Sequence, residues 1–498
     1  MDVQFETAKI TCLEPVFQEV RSTELTQQIK LPDAMPDVGK ILMAWGQPIL
    51  RGKEWADGQL SANGGVLVWV LYAPEDGSGC QCLDGWIPFQ MKWDLPEETE
   101  EGQARFVCRT RLVEGRGISP RKIAVRCALA VQAEAYSPML RELASPGKQG
   151  GEVELLEETY PLRLLKEFGE KAFPMEEELT LPDSAPQPEK LLYCRMEPRI
   201  TDKKVLSDKV VFRGNGNLHV LYRSEEGRLQ SWDFALPFSQ YAQLDEEYGS
   251  DAQGDVVLAV TGLECELSDE GTLRLKAGVA AQYLISEKQM LTVLEDAYCP
   301  GRELTIRQEM VELPVVLDNR REELYAEQTI REEAEHVADV SFLADFPRQR
   351  WQETGVELEI PGLFQLLYYG ADGTLSAATV KWEGQQSLTA DDRSHITTLP
   401  LPQEPQAVTG SGQILVKAEL PVDVTTTADQ QLTLIAGMEL GAQRIPDPNR
   451  PALILRRAGE GRLWDLAKDS GAAMADIRRA NGLEGEPIPG QMLLIPVK

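Results

Sequence analysis

An apolar, strand-like run that ends in Leu-Tyr and turns over acidic residues into a glycine occurs three times in this chain. The copies are Leu71-Tyr72 before Glu75-Asp76-Gly77, Leu221-Tyr222 before Glu225-Glu226-Gly227, and Leu367-Tyr368 before Ala371-Asp372-Gly373. They lie 150 and 146 residues apart. Self-similarity at a long fixed period marks one domain type used three times. The flanks of the first two copies agree. Leu31-Pro32-Asp33 and Pro36 match Leu181-Pro182-Asp183 and Pro186 at the same offset, and Ile87-Pro88-Phe89 and Leu236-Pro237-Phe238 follow the two hairpins. A chain built by repetition offers surfaces rather than one reaction centre, so the expected function is binding.

The units read as mainly β. Val66–Tyr72 is rich in β-branched and aromatic residues and too short for a helix, which predicts a strand buried on both faces. Ile123–Val131 and Leu273–Ala277 are later strands, again 150 residues apart. The boundaries predicted are 1–150, 151–305 and 306–443, each a β-sandwich or barrel-like unit. In the third, Val340–Pro347 stands where the Leu-Pro-Asp motif is expected, and Gln413–Lys417 and Leu432–Gly437 supply the late strands. Residues 444–451 form a proline-rich connector, stiff because proline fixes φ and removes a donor. In 452–498 the period changes to strand, helix, helix, strand: Leu453-Ile454-Leu455, a helix carrying Leu463, Leu466 and Ala467 up to Gly471, a second from Met474 to Gly482, and Met492–Val497. The expectation is a string of β modules closed by a small α+β (βααβ) cap.

Hydrophobic residues at 42% allow each unit its own core. Fifty Lys and Arg against 80 Asp and Glu give a net charge of −30, which repels phosphate backbones and argues against a nucleic-acid partner. Residues 452–498 are nearly neutral, with seven basic and six acidic residues, which suits a tail meeting a different partner. The eight cysteines have no shared place in the units, which reads as reduced structural thiols. No run of about 18 apolar residues predicts a membrane span. The start of the sequence lacks the pattern of a secretion signal, so the protein is expected to stay where it is made.

Reaction chemistry is not legible. His219, His336 and His395 are dispersed, and His219 reads as a packed or edge residue rather than a base. Gly214-Asn215-Gly216 lacks the setting of a phosphate cradle and reads as a bulge or turn. Glu97-Glu98, Glu176–Glu178 and Asp391-Asp392 are adjacent acids with no reason to converge on one bond. No catalytic residue, metal or cofactor is expected, and the chain is read as a non-enzyme.

Two resemblances sharpen this. Leu463-Trp464-Asp465-Leu466-Ala467-Lys468, Ala475–Leu483 and Ile488–Pro496 resemble the three motifs of a LysM domain. That family holds N-acetylglucosamine chains beside the turn before its first helix, where Gly459-Glu460-Gly461-Arg462 here is one residue longer than the usual Gly-Asp-Thr. The resemblance implies a partner- or glycan-binding set of Gly459, Glu460, Gly461, Arg462, Leu463, Trp464, Asn481, Gly482, Leu483, Pro487 and Ile488, with Trp464 open to stacking on a sugar or to packing in the core. The units, through Leu-Pro-Asp-x-x-Pro, Lys40-Ile41-Leu42, Lys190-Leu191-Leu192 and the strand ending in Leu-Tyr, resemble the SPOCS domain of endospore-forming Firmicutes. Spore-coat morphogenetic members carry LysM at the carboxyl end. This implies a mother-cell adaptor at the forespore surface that attaches the coat's basement layer, its LysM contacting a coat morphogenetic ATPase, with glycan as the alternative ligand. Leu31, Pro32, Asp33, Pro36, Leu181, Pro182, Asp183 and Pro186 are a candidate recognition surface of the units.

Overall fold

The recurring Leu-Tyr pairs show how the molecule is built. Successive side chains of a strand point to opposite faces. Tyr72, Tyr222 and Tyr368 enter three separate cores, whereas Leu71, Leu221 and Leu367, all fully buried, meet in a single cluster shared by three lobes. The turns that follow need glycine because Gly77, Gly227 and Gly373 have φ of 71°, 81° and 75°, although a Cβ at each would meet no neighbour.

The computed structural model describes residues 6–97, 99, 101–145, 152–391, 393–444 and 451–497. The chain is mainly β. The first lobe holds β1 (Glu6–Lys30), β2 (Val38–Ala56), β3 (Gln59–Pro74), β4 (Gln81–Asp94), β5 (Gln103–Ser119) and β6 (Lys122–Ser145). The second holds β7 (Glu154–Thr180), β8 (Pro188–Leu206), β9 (Lys209–Ser224), β10 (Leu229–Gln243), β11 (Gln253–Leu267) and β12 (Thr272–Tyr298). The third holds β13 (Arg302–Ile330), β14 (Ala334–Ala344), β15 (Arg348–Gln352), β16 (Gly355–Gly370), β17 (Leu375–Leu388), β18 (Ser394–Pro400), β19 (Gln406–Gly410) and β20 (Gln413–Gln443). The carboxyl-terminal head is β21 (Leu453–Arg457), α1 (Leu463–Ser470), α2 (Met474–Asn481) and β22 (Met492–Pro496).

Each lobe packs two antiparallel sheets. The orders β1-β6-β5 and β2-β3-β4 are met again as β7-β12-β11 and β8-β9-β10. In the third lobe β13-β20-β18 and β14-β16-β17 stand in these places, with β19 continuing β18 along β20 and β15 continuing β14 along β16. Prolines explain the extra strands: Pro347 separates β14 from β15, and Pro402 and Pro405 separate β18 from β19, because proline cannot donate to a ladder. Gly214 lies inside β9, opposite the bulge between Ile200 and Asp202 of β8, rather than at a turn. A Cβ there would sit 1.8 Å from the Arg199 carbonyl, so the glycine permits close approach of strands.

Two expectations need correction. The segment Val340–Pro347 lies within and just after β14, and the place of Leu31 and Leu181 is taken by Ile330, which is buried in the same way at the end of β13. The lobes are also not strung out. Ile10 and Cys12 of β1, Met139 and Leu143 of β6, Leu162 and Leu164 of β7, Leu291 and Val293 of β12, Leu313 and Val315 of β13, and Leu432 and Leu434 of β20 form one core. Two residues from each long strand thus build a common stem. At the other side of the lobes, Trp69, Gln365 and His219 occupy matching registers, opposite Trp45, Ser341 and Arg195. Trp69 lies edge-on to Tyr193 at 5.1 Å, His219 Nε2 is 2.8 Å from Asp339 Oδ1, and Gln365 Nε2 donates to the Ala44 carbonyl at 3.2 Å. The first lobe touches the second, the second the third, and the third the first, so the lobes close a ring around one axis. Most of the proline-rich connector, residues 445–450, lies outside the described residues, as do Glu98 and Asp392.

Candidate functional site

The head folds around a small apolar core of Leu463, Ala467, Ile477, Leu493 and Ile495. Both helices stop at glycines in the left-handed region, Gly471 at φ 60° and Gly482 at φ 64°, which satisfy late carbonyls. The Glu486 carboxylate accepts from the Leu463 N–H at 2.6 Å, where a helix start favours negative charge. Gly490 N–H donates to the Ala458 carbonyl at 2.8 Å. These contacts tie the loop before α1 to the loop before β22, so Gly459, Glu460 and Gly461 lie exposed on one side, with half-buried Pro487 and exposed Ile488, 74% exposed, on the other.

The start of α1 faces the body of the protein. Trp464 is only 4% exposed, lies edge-on to Tyr298 at 4.8 Å, and donates through Nε1 to Asp296 Oδ2 at 2.9 Å. Lys468 reaches the same carboxylate at 2.6 Å, Arg462 pairs with Glu158, and Tyr298 donates to the Ala472 carbonyl at 2.9 Å. Burial, with the nearby Glu154 adding to it, pushes the Tyr298 phenol up and keeps it a donor. Every partner belongs to β7 or β12 at the end of the stem. Of the eleven head residues expected to bind, Leu463 and Trp464 are therefore buried, and Arg462 is engaged within the chain. Asn481 is structural as well: its side-chain amide exchanges two hydrogen bonds with Leu494, at 2.6 and 2.7 Å, in the manner of a neighbouring strand. Leu483 is half-buried and Gly482 is exposed.

The Leu-Pro-Asp segments form corners between the two sheets of a lobe. Leu31 and Leu181 anchor in the cores, and turns close at Met35 N–H to Pro32 O, 3.0 Å, and Ala185 N–H to Pro182 O, 2.8 Å. Pro32, Asp33, Pro182 and Asp183 are exposed, while Pro36 and Pro186 are half-buried. In the first lobe Arg121 clamps the corner, donating to Pro32 O at 2.6 Å and Asp37 Oδ1 at 3.1 Å. The head docks beside Glu154 and Glu158, near the start of β7, and the Leu181 corner follows its far end. The 27 residues of β7 measure about 90 Å along the strand, so the head and the corners are separate surfaces.

Sequence reasoning missed the charged centre between lobes. His219, 8% exposed, is held by Asp233 through Nδ1 at 2.7 Å and by Asp339 through Nε2 at 2.8 Å. Burial alone would lower its pKa, but the two carboxylates outweigh it and hold the imidazole protonated up to about pH 9. Arg105 pairs with Glu134 of its own lobe at 2.6 Å and Asp255 of the second at 2.5 Å. The available signal was the 150- and 146-residue offset itself, which aligns Trp69, His219 and Gln365, unlike residues in one place. Among the described residues no group of three or more His, Cys, Asp or Glu side chains is arranged to hold a metal, and no helix is long and apolar enough to cross a membrane.

Residues 187–268, which run from the corner before β8 to the turn after β11, match the family model described as SipL, SPOCS domain. No curated protein matches the chain, and no solved structure does.

Proposed function

We propose that the protein is a non-enzymatic sporulation adaptor whose three lobes are copies of one SPOCS-type module and whose residues 452–498 are a LysM module. The observation that carries this reading is the SPOCS match over 187–268, which points to a sporulation-related role. The sheet order of the matched lobe recurs in the first, which supports extending the reading along the chain. The adaptor acts in the mother cell at the forespore surface and attaches the basement layer of the coat, its head contacting a coat morphogenetic ATPase. Two recognition surfaces separated by a rigid stem suit that task, because contacts gain avidity only when geometry lets them engage together. Asp33 and Asp183 form one surface, and the loops at Gly459–Gly461 and Pro487–Ile488 form the other.

A protein partner is favoured over glycan because Trp464, the aromatic on which a sugar ring would stack, is turned into the body. The test is proximity labelling from the carboxyl end in sporulating cells, together with retention of the full chain on purified sacculi. Labelling of coat proteins, with no retention on sacculi, is expected. Retention that free chitooligosaccharide abolishes would replace the protein partner by glycan.

A further inference from the structure

A cavity of about 200 Å³ lies on the axis where the lobes meet, lined by β2 and β5 of the first, β8 and β11 of the second, and β14 with the β18–β19 connector of the third. Its charge runs against that of the chain. In a protein of net charge −30, the cations along the wall outnumber the carboxylates. Some are paired: Arg321 with Asp423 at 2.6 Å, Lys203 with Asp255 at 3.2 Å, and Arg199 with Glu197 at 2.9 Å.

Two cations are hydrogen-bonded less completely, although around Arg195 burial is outweighed by Tyr193, Glu197, Asp339 and Asp233, which raise its pKa. Arg195 is 9% exposed, its Nε stands 3.6 Å from Glu197 Oε1, beyond hydrogen-bond distance, and its Nη1 has no partner in the protein. Arg109 donates through Nη2 to the Pro400 carbonyl, but its buried Nε has no partner either. Burial lowers the Arg109 pKa to about 10, a pull that Glu197 and Asp345 only partly offset. Packing does not require these cations. The positions equivalent to Arg195 hold Trp45 and Ser341, and the position equivalent to Arg109 in the second lobe holds Ala259. An incompletely paired buried guanidinium is costly, and its planar fork fits the oxygens of a carboxylate or phosphate.

We propose that this axial cavity is a binding site for a small oxyanion of the phosphate or carboxylate class, gripped by Arg195 and Arg109. Its volume admits a few heavy atoms rather than a drug-sized ligand. The anion joins the first two lobes. Because Arg109 also holds the end of β18 and Arg199 the β18–β19 connector, it reports on closure of the third lobe as well.

Isothermal titration of the full chain with inorganic phosphate, and separately with malonate, at constant ionic strength tests the site. Saturable binding of at least one probe near one equivalent per chain is expected, and the probe that binds identifies the class. Arg195→Met and Arg109→Met should each weaken binding at least tenfold, with Arg195→Lys intermediate because it keeps the charge and loses the fork. If one variant fails to fold, the other carries the comparison. Absence of saturable binding by both probes, or unchanged affinity in the folded Met variants, would overturn the proposal.

Discussion

The stem and the ring lie on the same axis and are filled in opposite ways. In the stem, matching strands contribute like residues, aliphatic in all but Cys12 and Met139. In the ring, matching positions carry an aromatic contact, an ion pair and an amide contact. Apolar burial is non-directional and holds strands together without choosing between them. Unlike polar pairs do choose, because a misplaced lobe would leave Asp339 or His219 buried without its partner. The stem thus supplies cohesion, and the ring sets which lobe lies beside which.

That contrast can be broken from either side. The largest effect should come from His219→Leu, which strands the buried carboxylate of Asp339: a loss of about 3–5 kcal/mol in denaturant unfolding is expected, most of it recovered in His219→Leu/Asp339→Leu. In the stem, Leu432→Ala should cost about 2–4 kcal/mol, with no partner substitution able to restore it.

Acidity separates the regions further. The folded-state pKa of His219 is raised, so its contribution is fully present below about pH 6.5 and is lost as pH rises through about 9. Between pH 6 and 10 wild type should lose up to about 3 kcal/mol more than His219→Gln, as read from paired denaturation midpoints, whereas Leu432→Ala should show the wild-type pH slope. The smallest change concerns the head. Asp296→Ala removes the acceptor of Trp464 and the partner of Lys468, and should raise hydrogen exchange across 463–470 by about tenfold while leaving the stem unchanged.

The sequence disclosed the sandwiches better than the stem. In Val66–Tyr72 the β-branched and aromatic residues state the strand locally, and Gly77 states the turn. The stem strands β7 and β13 carry many glutamates, which have low β propensity, and their apolar residues face a core that only three lobes together enclose. No local pattern contains that core. In the head, periodicity located both helices, but it could not tell that Trp464 packs on Tyr298, 166 residues earlier in the chain. The Leu-Pro-Asp corners were visible as motifs, yet Leu31 turned out to anchor a core while Asp33 stays at the surface. His219 was legible as a strand residue, while both of its carboxylates lie far away in sequence or across a register that pairing alone reveals.

The central claim is that the lobes close around one axis instead of following one another like beads. A double-mutant cycle between His219 in the second lobe and Asp339 in the third addresses it most directly. Closure predicts a coupling of about 2 kcal/mol or more that weakens above pH 10. A coupling within about 0.3 kcal/mol of zero at pH 7 would contradict it.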